Sequence, residues 1–263
     1  MMNIRPPAVA GLFYPADPLV LARDVNRYLA EAREFPFWPK AVIAPHAGYI
    51  YSAPIAASAY HLLEPLRDRI ERVVLLGPVH RVWVQGLALP GGTAFETPLG
   101  AIPLDQKAMA AIADLPQVEI LDAAHSQEHS LEVQLPFLQR ALGDFRLVPL
   151  AVGGATPQEV AEVLERLWGG DETLIVVSSD LSHYLPYQTG SNVDKATAKA
   201  ILDMRTDLVG EQACGAHPIN GLLLAARHHG LRPHLLDLRS SGDTAGDRDR
   251  VVGYGAFAFT EPQ

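Results

Sequence analysis

The chain reads as an α/β protein: a single domain over residues 1–263, with three α/β/α layers around a mostly parallel, mixed central sheet. Three observations predict this. Short Val/Ile/Leu-rich runs, such as Ala41-Val-Ile-Ala44 and Val73-Val-Leu-Leu76, look like strands covered on both faces. Helix-length segments separate them, which is the rhythm of a parallel sheet. No Pro/Ser/Gly-rich linker and no internal repeat divides the chain.

The elements follow in order. The first helix has Asp17 as N-cap, Pro18 in its first turn, and Leu21, Val25, Tyr28, Leu29 and Ala32 on one stripe. Strands are predicted at 41–44 and 72–77, with a helix over 53–64 between them. Residues 84–104, broken by Pro90-Gly91-Gly92 and Pro98-Leu99-Gly100, read as a hairpin or an added mixed-sheet excursion. A helix at 130–142 precedes a strand at 146–152. Thr156-Pro-Gln-Glu159 is a capping box that opens a helix running to Trp168. A strand at 173–179, helices at 192–204 and 217–229, and strands at 234–240 and 252–260 complete the pattern.

Composition narrows the function. Hydrophobic content of 48% with 19% charged residues describes an ordinary globular protein, and 263 residues suffice for a full core. A net charge of −9 without a basic stripe argues against nucleic acid as a partner. The single cysteine, Cys214, suits a reducing compartment. The opening Met-Met-Asn-Ile-Arg-Pro-Pro lacks signal-peptide character, and no apolar run reaches the roughly 20 residues that span a bilayer. The expected location is cytoplasmic, with no membrane partner.

The chemistry gathers at strand ends. Apolar runs finish on His46, on His80, on Asp180-Leu-Ser-His183 and near Asp243. In open α/β sheets the site lies outside the carboxyl ends of the strands. Two histidines and a carboxylate on one face are a familiar set for non-haem Fe(II), and His46, His80 and Asp243 fit by type and location. The same set serves zinc, so a metal-dependent hydrolase is an alternative. The competing reading is that each histidine only hydrogen-bonds locally at a turn. No short ligand-spacing motif such as CxxC decides between them.

His183 is a candidate proton carrier, with Asp180 orienting it, although Ser178, Ser179, Asp180 and Ser182 are equally good capping residues. His129, within Glu128-His-Ser-Leu-Glu132, is expected to point into the cleft as a substrate hydrogen-bonder at a helix start. Cys214, near His217, is read as a small buried residue rather than a nucleophile. Tyr49 and Tyr51 are pocket or packing residues, and His61, His228, His229 and His234 receive no role. A serine hydrolase is disfavoured because no Gly-x-Ser-x-Gly elbow occurs, and neither a Walker loop nor a Gly-x-Gly-x-x-Gly turn is present.

Six stretches resemble the Memo family, whose microbial members are also called AmmeMemoRadiSam system protein B. They are Arg5-Pro-Pro-Ala-Val-Ala-Gly-Leu-Phe-Tyr-Pro15, Ala44-Pro-His-Ala-Gly-Tyr49, Leu76-Gly-Pro-Val-His80, Glu128-His-Ser-Leu-Glu132, Val177-Ser-Ser-Asp-Leu-Ser-His183 and Cys214-Gly-Ala-His-Pro-Ile219. The resemblance implies a fold like the class III extradiol dioxygenases and a pocket lined by His46, His80, Asp180 and His183, with His129 nearby. Radical-SAM and AMMECR-type proteins are its implied partners. Animal members carry a cysteine near the position assigned here to Asp243, so the carboxylate tilts this chain from cysteine-based copper or redox chemistry toward iron. Two readings result. One is a non-haem Fe(II) dioxygenase-like oxidoreductase acting on a small molecule, with Zn or Cu as other metals. The other is a non-catalytic metal-, ligand- or peptide-binding module on the same fold.

Overall fold

The computed structural model describes residues 3–262. In chain order the strands are β1 (Ile4–Arg5), β2 (Ala41–Ala44), β3 (Arg72–Pro78), β4 (Leu87–Leu89), β5 (Ala94–Thr97), β6 (Gly100–Pro103), β7 (Val118–Ile120), β8 (Arg146–Val152), β9 (Thr173–Ser178), β10 (His183–Leu185), β11 (Arg232–Ser240) and β12 (Val251–Thr260). The helices are α1 (Pro18–Glu31), α2 (Tyr49–Tyr60), α3 (Gln106–Ala110), α4 (Asp122–Ser126), α5 (Leu135–Leu142), α6 (Pro157–Leu167), α7 (Tyr187–Leu202) and α8 (Ala216–His228). The α/β class and mixed central sheet are as the sequence predicts.

The main sheet runs β10-β12-β2-β9-β3-β8-β4-β7, with β11 on the other edge of β12. Its centre, β2-β9-β3-β8, is wholly parallel, and antiparallel β12 and β4 flank it. Each central strand is apolar because both of its faces are covered. Val42, Ile43, Val74, Leu75, Ile175 and Val176 are fully buried, each worth about 1.5–3 kcal/mol relative to exposure. The crossovers β2–α2–β3 and β8–α6–β9 travel in opposite directions across the sheet. Right-handed connection therefore puts α2 and α6 on opposite faces, which generates the three layers. α1, α2 and α5 pack together, and α6 pairs with α8.

The sequence misplaces three boundaries. α2 starts at Tyr49 instead of residue 53, because the Gly48 carbonyl already accepts from the N–H groups of Tyr51 and Ser52. α7 begins at Tyr187, five residues before the predicted 192. The predicted helix 130–142 exists only from Leu135, after a 3₁₀ turn at Glu132–Gln134. Pro136 marks the true start, since proline is favoured in the first helical turn, where its missing N–H leaves no bond unmade. Residues 127–131 are consequently irregular, and they carry Glu128 and His129. The 84–104 excursion resolves into β4, which extends the main sheet, and the β5–β6 hairpin, which pairs with β1.

His125 is buried beneath this excursion. Its Nε2 lies 2.9 Å from the Ala88 carbonyl, whereas its Nδ1 has no partner among the described residues. Nε2–H therefore donates, and protonating Nδ1 would bury an unmatched donor. Desolvation by burial holds its pKa down at about 4. The unfolded chain, titrating near 6.5, binds the extra proton between pH 6.5 and 4, so stability is kept above that window and lost as pH falls through it. We expect this residue alone to cost about 3 kcal/mol across the window, at 1.36 kcal/mol per unit. In urea unfolding between pH 7 and 4, His125→Gln, which keeps a donor for Ala88, should reduce proton uptake on unfolding by about one. An unchanged pH slope would refute the assignment.

Candidate metal centre

The order β2-β9-β3 places three chain turns side by side at the carboxyl edge. His46 follows β2, His80 follows β3, and Ser178-Ser179-Asp180 ends β9 between them. The irregular segment 127–131 brings in His129. His46, His80 and His129 each offer a ligand atom within 4.8 Å of the others. Their ring centroids lie 4.6–5.4 Å apart, with His80 and His129 stacked.

Hydrogen-bond accounting assigns the ring protons. Ser178 has one hydroxyl hydrogen, and it goes to the Ser130 carbonyl at 2.6 Å. The Ser178 oxygen therefore accepts from Gln134 Nε2 at 2.7 Å and from His46 Nδ1 at 2.9 Å. His46 is thus the Nδ1–H tautomer, with its Nε2 lone pair available. Gln134 is itself fixed, because Tyr60 donates its hydroxyl to Oε1 and the Pro45 carbonyl accepts from Nε2.

Glu128 does the same for the His80 ring. Its Oε2 accepts from the His80 backbone N–H at 2.6 Å, and its Oε1 accepts from His80 Nδ1 at 2.9 Å. Oε1 also accepts from the backbone N–H groups of His129 and Ser130, both at 2.9 Å, and lies 3.3 Å from His129 Nδ1. A carboxylate behind an imidazole fixes the tautomer and raises ligand basicity. Burial pushes the Glu128 pKa up, but these bonds and the His80 ring outweigh it and hold the group at about 2, so it is ionised. Burial also keeps His46 well below the ordinary histidine range and His129 at about 4. At neutral pH both rings are therefore neutral, as metal ligation requires.

Close packing brings the loops together. A Cβ on Gly77 would stand 2.9 Å from Ser130 Oγ, and one on Gly215 would stand 2.7 Å from Ser179 Cβ. Glycine is what lets segment 127–131 and the Cys214 loop lie against the strand ends.

The predicted site residues divide. His46 and His80 meet, as their strand-end positions suggest. His129 stands with them as a third candidate ligand, not at a helix start as a contact for substrate alone. Asp243 is not part of this group. Its carboxylate accepts from the Tyr187 hydroxyl at 2.7 Å and from the backbone and side chain of Ser240, forming a capping box on a 3₁₀ turn. Burial raises its pKa, yet these donors and Arg248 bring it below the usual value. Asp180 serves both readings: Oδ1 accepts from the His46 N–H at 2.7 Å, while Oδ2 lies 4.0 Å from His46 Nε2. Burial lifts its pKa to about 7 despite bonds from the N–H groups of His46 and Ala47. His183, on β10, is half-buried and held below its ordinary pKa, mainly by burial. Its neighbour Tyr184 is exposed with φ of 57°, a left-handed conformation unusual outside glycine.

Sequence reasoning undervalued Cys214 and missed Glu128 and Ser178. Cys214 Sγ lies 3.3 Å from His46 Nε2, the nitrogen left free for ligation. Burial and the nearby Asp180 carboxylate push its pKa up to about 12, so it is a thiol that donates to that nitrogen. A cysteine therefore does stand beside the cluster, at a position other than that of Asp243. Glu132, three residues on from His129, points away: Arg5, Tyr14 and the N–H groups of Ala8 and Val9 all donate to it.

Fold and site together define an α/β protein with a three-histidine candidate metal centre at the carboxyl ends of its parallel strands. The chain belongs to the Memo-like protein family, whose pattern matches residues 5–258. A MEMO1 family protein of Ignicoccus hospitalis is 36% identical, covering 99% of this chain and 100% of that one. Another from Aquifex aeolicus is also 36% identical, covering 98% and 100%. Among solved structures, an uncharacterized Escherichia coli K12 protein, JW3007, overlaps 81% of this chain and 98% of its own at 14% identity and a TM-score of 0.47, too little to transfer anything. No described helix is long and apolar enough to cross a membrane.

In 15N-resolved NMR at pH 7 we expect His46 to show a protonated Nδ1 and a bare Nε2. Ser178→Ala should convert it to a tautomer mixture. A protonated Nε2 in the wild type would contradict the assignment.

Proposed function

We propose that this protein is a metal-dependent oxidoreductase whose divalent first-row transition metal is held by His46, His80 and His129, with Fe(II) as the working ion. The observation that carries the reading is the convergence of three imidazoles on one point, with the ring protons of His46 and His80 fixed by Ser178 and Glu128. Borderline nitrogen donors suit Fe, Zn and Cu and disfavour Mg or Ca. The residues therefore fit such a metal, although not as the two-histidine, one-carboxylate set built on Asp243. A bound metal would supply Lewis acidity and redox capacity at the mouth of the strands.

The chain's own groups complete the chemistry. Asp180, titrating near neutrality, takes or gives a proton beside His46. His183, mainly neutral at pH 7, accepts a proton from a small hydroxylated substrate. Glu128 stays ionised and places a negative charge behind the His80 and His129 rings.

A second reading, metal binding without turnover, is favoured by one observation: the Cys214 thiol occupies the free nitrogen of His46 at 3.3 Å. A thiol there supports a redox-sensitive or metal-storing site as readily as an open catalytic one.

Anaerobic reconstitution with Fe(II), Zn(II) or Cu(I), followed by metal analysis, tests the centre. His46→Ala, His80→Ala and His129→Ala should each lose at least tenfold in affinity, whereas Asp243→Ala should bind like wild type. Equal metal content in all variants would sink the three-histidine centre. Dioxygen uptake by the Fe(II) form over a panel of catechols then separates turnover from storage, and no uptake would favour the second reading.

A further inference from the structure

His129 is the one candidate ligand not anchored to a strand end. It lies in the irregular stretch between α4 and the 3₁₀ turn, so no regular backbone pattern fixes its position. What grips this stretch is the arm of residues 5–14. Arg5 donates through Nε to the His125 carbonyl at 2.6 Å, through Nη2 to the Glu128 carbonyl at 2.8 Å, and through Nη1 to Glu132 Oε2 at 2.7 Å. One planar guanidinium thus holds the segment before, at and after Glu128.

The arm closes the same grip from further along. Glu132 is fully buried, and the N–H groups of Ala8 and Val9 and the Tyr14 hydroxyl, at 2.6–2.9 Å, saturate it. The Phe13 ring packs on His129 itself, with centroids 4.7 Å apart. The Phe13 carbonyl accepts from the Tyr49 N–H, at the start of the helix that follows His46. Because Glu132 occupies Arg5 as its carboxylate partner, Glu128 keeps its own carboxylate for His80 and His129.

We infer that residues 5–14 are a positioning device for the third ligand, with Arg5 and Phe13 holding His129 against His46 and His80. This rests on the three-histidine reading and adds to it the reason that His129 stays in place. The paired stretches Arg5-Pro-Pro-Ala-Val-Ala-Gly-Leu-Phe-Tyr14 and Glu128-His-Ser-Leu-Glu132 then form one functional unit, with Arg5 and Glu132 its two contact ends.

The test is a double-mutant cycle on the full chain, using Zn(II) affinity by chelator competition. Arg5→Lys keeps a positive charge for Glu132 but cannot reproduce the fork to His125 and Glu128, and it should weaken Zn(II) binding about tenfold or more. In a His129→Ala background the same substitution should add less than twofold, because the ligand through which Arg5 acts is already gone. Cu(II)-loaded Arg5→Lys should show two coupled imidazole nitrogens by EPR, like His129→Ala, where the wild type shows three. Phe13→Leu, which leaves the Arg5–Glu132 pair intact, provides the same comparison if Arg5→Lys does not fold. Equal losses in the wild-type and His129→Ala backgrounds would overturn the inference, leaving the arm a general stabiliser. If His129→Ala alone leaves affinity and EPR unchanged, the three-histidine reading itself fails.

Discussion

A buried carboxylate must be paid for in hydrogen bonds, and Glu128 shows what that requirement builds. Removed from water, its charge is tolerable only with several donors aimed at it. The structure supplies the backbone N–H groups of His80, His129 and Ser130 together with the His80 ring. Those donors come from the end of β3 and from segment 127–131, so satisfying one anion joins two distant parts of the chain. The rings of His80 and His129 stack as a by-product. The candidate metal centre depends on this joint.

A second carboxylate on the same segment solves the same problem differently. Glu132 is matched by a full cation, Arg5, and by three neutral donors. Breaking one side of such a buried pair costs about 3–5 kcal/mol, because the other charge is left stranded. Four residues apart, one acid faces imidazoles and the other faces the arm. The first is tied to ligand chemistry and the second to architecture. The irregular backbone of 127–131 permits this split, because a regular helix would carry both side chains on one face.

Much of this was legible in the sequence, for reasons that also explain the misses. Central parallel strands are apolar along their whole length, so β2, β3 and β9 announce themselves, and His46, His80 and Asp180 fall at their ends by counting. Asp243 follows β11, which runs in the same direction as β2 because both are antiparallel to β12, but β12 stands between those two strands and the Asp243 carboxylate is taken up by Tyr187 and Ser240. An aspartate three residues after a serine is also what a capping box looks like, and nothing local separates the two roles. His129 was placed at a helix start because the apolar spacing continues through 131–138. Only Pro136 hinted that the helix begins later. Cys214 reaches His46 through a contact between residues 168 positions apart. A single sequence carries no signal for such a contact.

Charge then decides what kind of ion the centre would accept. His46 and His129 are neutral at pH 7, and the ionised Glu128 contributes one negative charge to the cluster. Asp180 adds a second negative charge only in part, since burial has moved it to about 7. A divalent cation near these groups would favour the ionised form of Asp180, so binding and proton release are coupled at this residue. The Cys214 thiol, held protonated by the same burial, is the remaining proton on the free face of His46. Thus the two groups beside His46 that can lose a proton are an acid poised near neutrality and a thiol far above it. At physiological pH a cation would draw first on Asp180, with Cys214 held back as the softer and less accessible donor.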